Sequence, residues 1–335
     1  MPLRPDGPVR MPAEWARHRA TWLAWPHHVP DWPGKFDAIP WVYAEIVRAL
    51  ADHEPVELIC HDADTLEAAR EHLEAHAARM DQVRLRVAPT DRVWLRDSAW
   101  AKYDNYADDA RIPEHVARWT GLERIAAQRH DSGEPLVLEG GGIEVNGSGR
   151  ILVTEEWLLS DVQVRNPGYT RADYERAFAH WLGCHETIWL GEGCVGDDTH
   201  GHIDDIARFV AEDVIVIAHE SDPADENHAR SADNLRRLAR AGGDAGRLKV
   251  ITLPFPRPVI MDGVRLPASY ANFYIANGCV LVPTFNDAND RVALNTLAEC
   301  FPDRRVIGIH AVDLVWGLGT LHCLSQQEPA PRRVV

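Results

Sequence analysis

One pattern returns along this chain and restricts its fold more than any other feature: an apolar run of strand length, a helix-forming stretch, then a second apolar run. Residues 56–60 are followed by 65–77, rich in Ala, Leu and Glu, and by 83–87. The same order recurs as 151–153, 171–182 and 187–190, as 214–218, 227–240 and 248–253, and as 279–283, 291–300 and 306–309. Residues 20–25, ahead of an amphipathic stretch carrying Val42, Ile46, Val47 and Leu50, begin a further copy. The starts at 56, 151, 214 and 279 lie 95, 63 and 65 residues apart, which predicts a repeated supersecondary unit with one insertion. No linker or low-complexity stretch separates the copies. The 335 residues are therefore expected to form one α/β domain of ββαβ-like units, with a doubly wound parallel sheet as the competing arrangement.

The balance of charge narrows the partner. With 51 Asp and Glu against 35 Lys and Arg, the formal net charge is −16. That is the wrong sign for a nucleic-acid or anionic-membrane surface and the right one for a cationic ligand. No apolar run approaches the ~20 residues of a membrane helix, and the N-terminal stretch lacks the apolar segment of a secretory signal. Six cysteines, at 60, 184, 194, 279, 300 and 323, show neither Cys-x-x-Cys pairs nor disulfide-rich spacing. Reduced thiols in a cytoplasmic protein are expected.

The chemistry-bearing residues lie beyond the outgoing strands. Asp97, His202 and Cys323 follow the strand ends at 87, 190 and 309 by 10, 12 and 14 residues. Equivalent loops of repeated units share one end of a molecule, so an acid, a base and a thiol are expected at one site. Cys323 follows the Gly-rich Trp316-Gly-Leu-Gly-Thr320 and adjoins His322, unlike Cys60 and Cys279 in their apolar runs. A nucleophilic thiolate is its functional reading, and packing the bland one. In Gly196-Asp-Asp-Thr-His-Gly-His-Ile-Asp-Asp205, strand alternation from residue 201 puts His202 and Asp204 on one face and Asp205 on the other. The same run spells His200-x-His202-x-Asp204, a spacing that metal sites use, and a solvated acidic loop is the remaining reading. Glu139 stands directly after the apolar residues 135–138, where a charge is either edge-exposed or functional. The glycines after it serve turns, and Asn146-Gly147 reads as a hairpin. Lacking a Gly-Lys-Ser/Thr ending, this run is no phosphate loop. Over 91–97, alternation groups Trp94 with Arg96 and Leu95 with Asp97, an Arg96–Asp97 surface pair being the bland alternative.

Several short motifs occur in order: Met11-Pro-Ala-Glu-Trp15, Thr21-Trp-Leu-Ala-Trp-Pro26, Trp94-Leu-Arg-Asp97, Leu138-Glu-Gly-Gly141, Arg165-Asn-Pro167, Gly201-His-Ile-Asp204, Ala268-Ser-Tyr-Ala-Asn-Phe-Tyr274, Phe301-Pro-Asp-Arg304 and Leu321-His-Cys-Leu-Ser-Gln-Gln327. Together they resemble, almost end to end, the agmatine deiminase family, which includes bacterial-type peptidyl-arginine deiminases, within the guanidino-group-modifying pentein superfamily. The resemblance implies a five-bladed α/β propeller of ββαβ repeats with pseudo-fivefold symmetry, residues 1–335 forming one catalytic domain. It implies Cys323 as nucleophile, His202 as general acid/base, Asp97 and Asp204 as holders of a guanidinium, and Glu139 as the group that orients or polarises His202. Trp94 would line the substrate's alkyl chain, or simply pack.

The resemblance implies no metal and no other cofactor, so His200 would not be a ligand. The activity implied is hydrolysis of agmatine to N-carbamoylputrescine and ammonia through a thiouronium on Cys323. Deimination of arginine or peptidyl-arginine is the alternative, and a metal hydrolase using His200, His202 and Asp204 a more distant one. The partner expected is a small cationic guanidino compound, with no nucleic acid and no membrane, and a homodimer is compatible with it. Two departures stand out. The family usually continues Ser/Thr-Gly-Pro-Thr-Phe and a further strand after Trp-x-Arg-Asp, whereas Asp97-Ser-Ala-Trp100 here runs straight to Tyr103-Asp104, so residues are expected to be missing near 99–100. Leu318 and Thr320 also interrupt what is usually a Gly-Gly-Gly-Asn segment.

Overall fold

All five strand–helix–strand copies form where the periodicity puts them. In the computed structural model, which describes residues 9–98, 106–242 and 248–331, each helix returns the chain so that its flanking strands pair in parallel. Helix Ile39–Ala51 joins His18–Ala24 to Val56–Cys60, and helix Ala63–Ala75 joins Val56–Cys60 to Val83–Val87. Arg171–Ala177 lies between Arg150–Thr154 and Glu186–Leu190, Glu226–Gly242 between Val214–His219 and Lys249–Pro254, and Ala288–Cys300 between Cys279–Thr284 and Arg305–His310. Local chemistry fixes the helix starts. The Asp62 carboxylate accepts from the Thr65 N–H at 2.7 Å, and Asp287 with Asp290 closes a capping box. The strands are continuous apolar runs because both faces are covered: Ile215, Val216, Ile217 and Ala218 are all buried.

Three of the parallel pairs carry a short antiparallel strand ahead of them, which completes a ββαβ unit. These leading strands are Glu144–Val145, Ala207–Ala211 and Tyr274–Ile275. Two of them span two residues, too few for alternation to reveal, although the Asn146-Gly147 turn does form, with Gly147 at φ +73°. The remaining large sheet assembles the same unit from distant parts of the chain. Gln326–Pro329 pairs antiparallel with His18–Ala24, and Val83–Val87 is added as a fourth strand. The parallel pairs are thus distributed over separate small sheets, so the doubly wound alternative does not hold. The residues expected to be missing between Ala99 and Trp100 lie outside the described residues. Among the described residues, no helix is long and apolar enough to cross a membrane.

A buried ionic hub ties the sheets together. Glu14 accepts from Arg208 Nη2 at 2.8 Å, from the Ile275 N–H at 2.8 Å and from Arg96 Nη2 at 3.3 Å, and meets His322 Nε2 at 2.8 Å. Arg208, fully buried, also donates to Glu144 at 2.7 Å and to the Phe273 carbonyl at 2.6 Å. Burial opposes the Glu14 charge, yet Arg208, His322 and Arg96 together hold its carboxyl well below the usual carboxylate range. The fold places this hub directly behind Cys323.

Candidate active site

The loops following the parallel strands meet at one pocket of about 600 Å³, counting its open mouth. Cys323, His202, Asp97, Glu139 and Trp94 all line it, so the convergence expected from the repeats is what the structure shows. Asp204 is fully buried beside the thiol, 3.5 Å from Sγ to Oδ2.

Two local expectations fail for the same reason. Residues 91–98 form successive turns rather than a strand, with Leu95 N–H bonded to the Val93 carbonyl at 2.8 Å and Asp97 N–H to that of Trp94 at 3.1 Å. Trp94 and Asp97 therefore share the pocket, while Arg96 turns away to Glu14 and to Gln327 Oε1 at 2.7 Å, so it forms no surface pair with Asp97. Likewise Ile203–Asp205 is a 3₁₀ turn, and the strand begins only at Ala207. That turn starts where Asp197 Oδ2 accepts from the N–H groups of both Gly201 and His202 at 2.9 Å.

The glycines after Glu139 do more than turn the chain. Gly141 donates its N–H to Asp97 Oδ1 at 2.9 Å, and a Cβ there would stand 2.6 Å from His202 Nδ1 and 3.0 Å from Asp204 Oδ2. Only glycine allows the carboxylates and the imidazole to crowd so closely.

Electrostatics follow from this crowding. Burial would lower the His202 pKa, but Asp97, 4.0 Å from Nδ1, and Glu139, 3.8 Å from Nε2, raise it to about 9, helped by Asp197. His202 is therefore an imidazolium at neutral pH. Glu139 stays ionised, at about 2, because His202 and Arg165 outweigh its burial; Arg165 Nε donates to Oε1 at 2.7 Å and Trp157 Nε1 to Oε2 at 3.2 Å. Asp97 is raised to about 6 by burial, with His202 opposing and Asp204 adding to the rise. The Cys323 thiol is pushed far above its ordinary value by burial and by Asp204, Asp205 and Asp97. The buried polar atoms that lack a hydrogen-bond partner among the described residues include His202 Nε2 and Asp204 Oδ1.

Asn272 and His322 belong to the site, although the sequence marks Asn272 only as a motif letter and His322 only as the neighbour of Cys323. The Asn272 amide donates to Cys323 Sγ at 3.0 Å and to Asp205 Oδ1 at 3.0 Å, while its oxygen accepts from Thr320 Oγ1 and the His322 N–H. His322 sits between two carboxylates, with Nδ1 2.7 Å from Asp204 Oδ2 and Nε2 2.8 Å from Glu14 Oε2. It pins Asp204 Oδ2, while Oδ1 has no hydrogen-bond partner among the described residues.

His200 does not join the site. Its Nε2 meets Ser160 Oγ at 3.0 Å and its Nδ1 lies 3.9 Å from Glu156. Among the described residues, the group that brings three potential ligand atoms within 4.8 Å of one another is Asp204, Asp205 and Cys323, so the His200, His202 and Asp204 metal triad does not assemble.

Residues 10–329 match the family described as Porphyromonas-type peptidyl-arginine deiminase. The chain is 32% identical to the agmatine deiminase of Pseudomonas aeruginosa over 98% of each chain. A Cys-to-Ser variant of the agmatine deiminase of C. jejuni, solved with substrate bound, superposes with a TM-score of 0.85 at 25% identity over 97% of each chain. The agmatine deiminase of Enterococcus faecalis superposes with a TM-score of 0.85 at 26% identity over 96% of each chain.

Proposed function

As the chain belongs to the Porphyromonas-type peptidyl-arginine deiminase family, we propose that it hydrolyses agmatine to N-carbamoylputrescine and ammonia. The observation that carries this reading is the junction of a thiol, an imidazolium and two carboxylates at one pocket, with Asp204 Oδ1 unpartnered beside Cys323. A guanidinium is planar and cationic, and it suits carboxylates that accept its N–H groups in charge-assisted bonds. Asp97 and Asp204 take that role here. Asp198 also lines the pocket, and its carboxylate suits the ammonium at the other end of agmatine.

In the empty site the thiol is neutral. A bound guanidinium offsets the carboxylates that oppose the thiolate, and the thiol proton leaves to solvent. The Cys323 thiolate attacks the guanidinium carbon, forming the C–S bond and a tetrahedral adduct. His202, protonated, gives its proton to the departing nitrogen, and ammonia leaves a cationic thiouronium on sulfur. Neutral His202 then takes a proton from water as the oxygen attacks that carbon. The second adduct expels the thiolate. Loss of one further proton, taken up by ammonia, leaves the neutral ureido product and ammonium. Glu139, braced by Arg165, keeps His202 charged for the first proton transfer. Nothing in the sequence requires a metal.

Free arginine fits less well. Free arginine brings a carboxylate that needs a cation, and both arginines among the described lining residues already face carboxylates, Arg92 that of Asp31 at 3.0 Å and Arg165 that of Glu139. For the fold as a whole, the reading is a five-bladed propeller built from one catalytic domain; what supports it is the repetition of the ββαβ unit in four separate sheets among the described residues, the helix–strand pair Ala63–Ala75 and Val83–Val87 extending the first of them.

The test is ammonia release from agmatine, arginine and an arginyl peptide, wild type against Cys323→Ser. Release from agmatine that Cys323→Ser abolishes is expected. Negligible release from all three substrates, or undiminished release by Cys323→Ser, would reject the assignment.

A further inference from the structure

The turn over the pocket contains a backbone conformation that its residue type disfavours. Leu318 has φ +70° and ψ 21°, the left-handed region, where a Cβ crowds the following carbonyl. Its neighbours are glycines for a visible reason. A Cβ at Gly317 would stand 2.7 Å from the Trp32 ring, and one at Gly319 would stand 2.7 Å from the Trp94 ring and 3.1 Å from the Cys323 Cβ. The backbone lies directly on the Trp32 and Trp94 indoles, whose centroids are 5.9 Å apart. Leu318 is thus the one residue of this tripeptide with a side chain; it lines the pocket, half-buried against the adjoining apolar core.

The rest of the lining sharpens the point. Apart from Trp94 and Leu318, the described lining residues are glycines, Cys323, or carry polar or charged side chains. A substrate's methylene segment has these two apolar groups to lie against. A strained residue held in place at a binding site is an observation from which function can be argued, since a glycine would occupy the same turn without the steric cost.

We propose that Leu318 determines specificity, gripping with Trp94 the methylene chain between the guanidinium and the far end of the substrate. This rests on the pocket being a guanidinium site, and adds that simple alkylguanidines are favoured by a constant factor for each added methylene. The test compares kcat/KM for ethylguanidine, propylguanidine, butylguanidine and agmatine among the wild type, Leu318→Gly, Leu318→Ala and Leu318→Met. Burying one methylene is worth about a fourfold gain in kcat/KM. The wild type should gain about fourfold per methylene, and the Gly and Ala variants about twofold or less, so they lose most on butylguanidine. Leu318→Met, similar in volume, should retain the wild-type gradient. Leu318→Gly, freed of the left-handed cost, should melt no lower than Leu318→Ala, which makes misfolding distinguishable from a lost contact.

An equal loss on every guanidine, or an unchanged gradient in both small variants, would overturn the assignment of Leu318 and leave the deiminase reading standing. A wild type that releases ammonia from none of these compounds would overturn both.

Discussion

Glu139→Gln replaces a buried carboxylate by an amide of the same shape, and its effect is to be read on His202. The two groups lie 3.8 Å apart, and at an effective dielectric of ~20 a unit charge pair at about that distance interacts by about 4 kcal/mol. Arg165, 2.7 Å from the same oxygen, offsets roughly half of it. What remains, about 1.5–3 kcal/mol, corresponds to one to two pH units. In the wild type, kcat/KM for agmatine should rise with pH because the thiol proton has to leave: most steeply in an acid limb until Asp97 ionises near about 6, less steeply above it, with an alkaline limb where the rise levels off as His202 loses its proton near about 9.

Without Glu139 the imidazolium loses support, so the alkaline limb should move down to between about 7 and 8. The acid limb should shift slightly the same way, because Glu139 also raises Asp97. The assay is ammonia release at subsaturating agmatine from pH 5 to 10.5, with the position of each limb, not the plateau height, as the readout. An alkaline limb that stays near 9 in Glu139→Gln would refute the assignment of that ionisation to His202 and of its support to Glu139.

Gly141→Ala puts a methyl group 2.6 Å from His202 Nδ1, and kcat/KM should fall by about 100-fold through misplacement of the reacting groups. Circular dichroism melting checks that the fold survives the substitution. Dialysis against a chelator should leave the ammonia-release rate unchanged, and zinc should not restore activity to Cys323→Ala. Either result to the contrary would revive metal hydrolysis.

The repeats were legible because each ends in the same order of elements, so loops at comparable positions had to meet. The repeat alone therefore groups Asp97, His202 and Cys323. Periodicity failed within the loops, where alternation presumes an extended chain. The turns around Trp94 and the 3₁₀ turn at Ile203–Asp205 obey local hydrogen bonds instead. The supports were legible only as motif letters. Asn272 reaches Cys323 across 51 positions and His322 reaches Asp204 across 118 and Glu14 across 308. Separations of this size leave no periodic trace. The left-handed backbone of Leu318 was also hidden, since a leucine in sequence gives no sign of a glycine-like conformation.

The strand that completes the first sheet, Gln326–Pro329, begins three residues after Cys323. Synthesis proceeds from the N-terminus, so the other sheets can form while this clasp is still absent. Until it docks, nothing fixes the Cys323 carbonyl opposite the Arg96 N–H, or its sulfur against Asn272. The Cys323 thiol is therefore the last part to acquire its surroundings. A nascent or C-terminally clipped chain carries an ordinary cysteine, and docking of this segment moves it into a buried setting flanked by Asp97, Asp204 and Asp205, which hold it protonated.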